Sequence, residues 1–158
     1  MKGEIAMAKE TALRRMVYAA TAISIGVAAL WALWFVPRLA AHPMAIADRV
    51  DHSSKIFFAI QLLAVVVLLV VVILRRLGVR MLSGPLYLGA LFLFLHDFFT
   101  FSGAVNYLQV YEGFSAEAIL MLVCVGANLI AAILAIKAGI GYMRLVKAGG
   151  GQEGWGQK

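Results

Sequence analysis

His96 and Asp97 set an imidazole beside a carboxyl inside the run Phe92-Leu93-Phe94-Leu95-His96-Asp97-Phe98-Phe99-Thr100-Phe101. Histidine titrates near neutral pH and is a frequent metal ligand, so three kinds of chemistry are open to the pair. It can exchange protons, hydrogen-bond a quinone carbonyl, or supply one or two metal ligands. The flanking residues are apolar for long enough to cross a bilayer. Ionisable groups at that depth are expensive, and they face a protein interior and find partners.

The elements that must hold this pair follow from composition. The chain is 63% hydrophobic and 14% charged, with a mean hydropathy of +0.92. Soluble domains are about 45–50% apolar and about 25% charged, so this is the composition of an integral membrane protein. Four apolar runs cover residues 16–36, 56–74, 85–105 and 116–136. Each is long enough for a membrane helix. The expected fold is an all-α bundle of four transmembrane helices over residues 1–148, with a disordered glycine-rich tail over 149–158.

Local signals set the ends. Trp31, Trp34 and Phe35 gather before Pro37-Arg38, where amphipathic rings are expected at headgroup level. Leu39-Ala40-Ala41 resembles a signal-peptidase site, but the apolar run before it exceeds the usual ~7–15 residues and is read as a retained span. His42-Pro43 marks a helix start, giving either a short interfacial helix or an extension of the second span. Ser83-Gly84-Pro85 supplies a cap and a first-turn proline for the third span. A loop is expected over residues 106–115, ending in the helix start Ser115-Ala116-Glu117. The fourth helix is expected to reach Lys147.

Eleven of the fourteen Lys and Arg residues fall on one side if the spans alternate. The excess predicts that both termini are cytoplasmic, as in an inner-membrane protein. These basic residues flank the apolar runs instead of forming a patch, which argues against a nucleic-acid partner.

With that topology, a rise of roughly 1.5 Å per residue puts the polar groups of the four helices in one layer, from the midplane outward. Gln61, His96, Asp97, Thr100, Cys124 and Asn128 belong to it, with Ser24 nearest the middle. Gly89, Leu93, His96, Thr100 and Gly103 form one stripe, and Glu117, Met121, Cys124, Asn128, Ala131 and Ala135 form another. A bundle interior that gathers His96, Asp97 and Asn128 is therefore expected. The structural alternative is that these groups only hydrogen-bond one another and lock the packing.

A second candidate site lies on the outer connection, where His42, Asp48, Asp51 and His52 could admit a divalent cation. Asp48 and His52 are one helical turn apart, as are Asp51 and Lys55, so a solvated loop of ion pairs explains the same residues. Residues 42–52 resemble the histidine–aspartate motifs of nickel and cobalt permeases, which combine His-Pro with Asp-His. The resemblance implies metal transport. It departs at Ile46, where a glycine would be expected, and at Arg49, where a histidine would be.

Several chemistries are excluded or disfavoured. The lone Cys124 leaves no internal disulfide and no multi-cysteine metal pattern. Bis-histidine haem ligation needs a second deep histidine, and only His96 is deep. Nothing resembles a phosphate-binding loop, a dinucleotide fingerprint, a catalytic triad or a zinc-protease helix. The reading that follows is a small membrane subunit, not catalytic on its own, of a redox or respiratory-type complex, with a His/Asp layer that handles quinone or protons. Its partners would be the lipid bilayer and other membrane subunits or further copies of itself. The alternatives are a cation or divalent-metal permease and an assembly factor without a ligand.

Overall fold

The computed structural model describes residues 2–35, 44–79, 81–110 and 116–150, with side chains for 7–34, 55–79, 81–105, 116 and 118–148. The described residues are helical apart from a short turn. The helices are α1 (Lys2–Leu30), continued by a wide π-helical turn (Trp31–Phe35), α2 (Met44–Arg76), α3 (Ser83–Val110) and α4 (Ala116–Gly150). All four are long and apolar enough to cross a membrane, over Met7–Trp34, Lys55–Arg76, Ser83–Val105 and Ala118–Ala148. The chain is a multi-pass membrane protein.

Each helix outruns its apolar core. α2 starts at Met44, so the residues after Pro43 extend the second span and do not form a separate interfacial helix. α3 runs to Val110, five residues past the expected end. Residues 106–110 contain neither Gly nor Pro, and the next Gly or Pro in the sequence after Gly103 is Gly113. α4 continues to Gly150. Residues 151–158 lie outside the described residues.

Two helix ends have clear local causes. Gly78 takes φ +80° and closes α2, with Gly78 N donating to Arg75 O at 3.1 Å and Val79 N to Leu74 O at 3.0 Å. This paired bonding satisfies the last carbonyls and needs a residue free to adopt the left-handed region. α3 opens one residue earlier than its serine suggests, because Leu86 N bonds Leu82 O at 3.2 Å. Pro85 still falls in the first turn, where its missing N–H costs nothing.

Neighbouring helices pack in a ring. α3 and α4 share the most extensive contact, followed by α1 with α4, α2 with α3, and α1 with α2. Direction is readable from the polar contacts. Gln61 meets Ser24 while Arg75 meets Glu10, so α1 and α2 run antiparallel. Gln61 meets Asn128 and Arg75 meets Tyr142, so α2 and α4 run parallel across the diagonal.

Small residues bring the backbones together. Ala131, Ala132, Ala135 and Ala138 of α4 are buried against Val17, Ala20, Leu68, Leu86 and Leu93. Gly139 admits Tyr87 of α3 so closely that a Cβ there would lie 2.9 Å from the ring. With no hydrophobic drive between helices inside lipid, close van der Waals packing of this kind is what holds the bundle. Large apolar side chains such as Leu91, Val123 and Ile130 point outward, as lipid contact requires.

Candidate functional site

All four helices meet in one buried polar layer. α1 supplies the Ser24 carbonyl and Trp31, α2 supplies Gln61, α3 supplies His96, Asp97 and Thr100, and α4 supplies Asn128. Gln61, His96 and Asn128 have no exposed surface. They face the bundle interior on helices whose remaining faces are apolar, so their polar atoms bond one another, the Ser24 carbonyl and Thr100.

The bonds form a chain whose direction is fixed at one end. A backbone carbonyl only accepts, so Gln61 must turn its amide nitrogen to Ser24 O, at 2.9 Å. The second hydrogen on that nitrogen reaches Asn128 Oδ1 at 3.3 Å. Gln61 Oε1 then accepts from Asn128 Nδ2 at 2.8 Å. The remaining Asn128 hydrogen points at His96 Nδ1, 3.0 Å away. The ring nitrogen facing Asn128 must therefore present a lone pair. In this arrangement the imidazole is neutral and carries its hydrogen on Nε2, 3.3 Å from Thr100 Oγ1. All four amide hydrogens are used.

Asp97 lies beside His96 and Asn128 at the edge of that network. Its Oδ1 lies 3.6 Å from His96 Nδ1, too long for a hydrogen bond. Both carboxyl oxygens are buried, and neither has a hydrogen-bond partner among the described residues. The Ser24 hydroxyl is likewise buried without a partner among them. Cys124 sits at the same level in an apolar cluster with Val27, Trp31, Ala104 and Met121.

Trp31 corrects an expectation. It is 1% exposed and packs edge-on against the His96 ring, with centroids 5.5 Å apart, instead of sitting at headgroup level. It occupies the π-helical turn just before Pro37. Such wide turns turn side chains away from the regular helical positions, and here the indole lies in the layer.

Trp31 also joins His96 to a series of rings that ends at lipid. Phe57 of α2 meets Trp31 at 6.4 Å and stacks on Phe99 of α3 at 5.6 Å, with 13° between the planes. Phe99 in turn meets Phe98, which is 70% exposed on the outer surface of the bundle.

Of the residues singled out in the sequence, Gln61, His96, Thr100 and Asn128 are in mutual contact, with Asp97 beside them. His42 lies outside the described residues, and so do the side chains of Asp48, Asp51 and His52, whose backbone belongs to α2. Among the described residues, no group of three His, Cys, Asp or Glu side chains stands together as a metal site. The chain matches no protein-family model, no curated protein and no solved structure.

Proposed function

We propose that the chain is a small integral subunit of a larger membrane redox complex, in which His96 and Asp97 take up and release a proton beside a quinone-type ring. The observation that carries this reading is the contrast between Asp97 and its neighbours. Every amide hydrogen in the layer is bonded, whereas both buried Asp97 oxygens lack a hydrogen-bond partner among the described residues. A carboxyl kept only to lock helix packing would be tied into that network, because an unsatisfied buried polar group costs free energy.

Two proton positions suit the geometry. With the imidazole neutral, Asn128 donates to Nδ1 and Asp97 is least costly as the uncharged acid. When the proton moves to Nδ1, the imidazolium pairs with the Asp97 carboxylate and the Asn128 contact must break. The pair therefore alternates between two bonding patterns, and the occupancy of each depends on what else bonds the site. The aromatic series from Phe98 through Phe99, Phe57 and Trp31 supports a flat, lipophilic partner arriving from the bilayer. A quinone takes two electrons and two protons to become a quinol. The electrons would come from a redox partner subunit, one proton from this pair and the second from water reaching the quinone outside the bundle. The excess of Lys and Arg on one side of the spans supports a cytoplasmic position for both termini.

The test is purification of the full chain with its native membrane partners, followed by quinone reduction by the assembled complex. Asp97→Asn, nearly isosteric, should lower turnover by about tenfold or more with assembly unchanged, in line with the loss of a positioned proton donor. Infrared difference spectra on quinone reduction should also lose a carboxyl band in that variant. Normal turnover with an unchanged spectrum would reject the reading, as would a chain that purifies without a redox partner.

A further inference from the structure

The end of the bundle opposite the His96 layer carries a second arrangement, independent of the one above. Arg75 and Arg76 are adjacent in sequence but take different partners. Arg75 turns inward, donating to Tyr142 Oη at 2.8 Å and to Glu10 Oε1 at 3.1 Å. Arg76 stays exposed. The Tyr18 hydroxyl on α1 has the guanidiniums of Arg14 and Arg76 beside it, one from its own helix and one from α2. The Arg14 guanidinium lies 5.5 Å from the centre of the Tyr18 ring.

Two guanidiniums thus lie near one phenol. Among the described side chains, Glu10 is the acid at this end, and Arg75 holds it. No carboxylate among those side chains pairs with Arg14 or Arg76. Like charges brought together at a helix seam repel unless an anion sits between them. Tyr18 stands two residues inside the apolar run that begins at residue 16 and Arg14 two residues before it, so the ring is at the edge of that run, where an amphipathic ring is favoured. The guanidiniums extend to the level of lipid phosphates, and their planar forks suit phosphate oxygens.

We propose that Arg14, Tyr18 and Arg76 form a binding site, at the α1–α2 seam, for the phosphate of an anionic membrane phospholipid. The two guanidiniums hold phosphate oxygens, the Tyr18 hydroxyl donates a further bond, and the acyl chains lie along the apolar seam below.

Native mass spectrometry of the full chain, released from nanodiscs of phosphatidylglycerol mixed with phosphatidylcholine, tests this. The wild-type chain should retain phosphatidylglycerol selectively. The double variant R14Q/R76Q should lose that retention by about tenfold or more, since each basic group near an anionic surface contributes a several-fold preference. The double variant R144Q/K147Q removes the same charge from exposed positions on α4 at the same end, and it should retain the lipid as wild type does. Equal loss in both variants would mean diffuse attraction and overturn the site. Equal retention of both lipids by the wild-type chain would overturn it too. Millimolar inorganic phosphate should not displace the lipid; full displacement would identify a free-anion site instead.

Discussion

The protein has two polar layers built on one register but filled with different chemistry. Ser24 and Glu10 are fourteen residues apart on α1, as are Gln61 and Arg75 on α2 and Asn128 and Tyr142 on α4. Fourteen residues are nearly four turns, so on each helix the two positions share a face and lie about 21 Å apart. The deep layer uses a backbone carbonyl and two carboxamides, and the shallow layer uses a carboxylate, a guanidinium and a phenol. α3 marks the difference most plainly: it places His96 in the deep layer, while fourteen residues earlier, just before the helix begins, stands the buried Leu82. Charge is affordable where a side chain still reaches water, as Glu10 does with its side chain 56% exposed. Where nothing reaches water, two carboxamides with every hydrogen used take its place.

Removing one member of each layer should separate the two. The largest effect is expected for Asn128→Leu, which strips a partner from both Gln61 and His96 with no water to replace it. It should cost about 1–3 kcal/mol in reversible unfolding from detergent micelles. Pairing it with Gln61→Leu should recover part of that loss, because two apolar side chains leave fewer amide atoms unsatisfied. A double variant that is simply the sum of the singles would mean the amides are not coupled. Arg75→Met is expected to cost less, about 1 kcal/mol, since Glu10 is free to hydrate once released. If it cost more than Asn128→Leu, the shallow layer would have to be as dry as the deep one. The smallest effect is expected for Glu10→Gln, about 0.2–1 kcal/mol and shrinking as salt is added. A salt-independent loss would again break the contrast.

Much of this arrangement could be read from the chain because membrane helices obey two simple constraints. Apolar length marks the spans, and rise per residue turns sequence position into depth. Depth placed Gln61, His96, Thr100 and Asn128 in one layer, face put the last three on inward stripes, and the four are in contact. Three features were not legible. The Ser24 carbonyl orients the whole chain of bonds, yet a backbone atom leaves no mark in residue type. Trp31 reads as an interfacial ring by position, and only the wide turn before Pro37 brings it against His96. The closure of α2 at Gly78 has a usable signal, a glycine just past two arginines at an apolar run's end, and it sets where Arg75 and Arg76 emerge.

The fixed direction of the Ser24–Gln61–Asn128 chain has an electrical consequence. Carboxamides donate hydrogen bonds but do not hand protons on, since their nitrogens neither gain nor lose hydrogen at ordinary pH. The two amides therefore act as insulation on the sides of His96 that face α2 and α4. Current carried by protons would have a dead end there, and because Asp97 lies beside the same Nδ1 that Asn128 caps, a proton passes between the pair only when that amide bond opens.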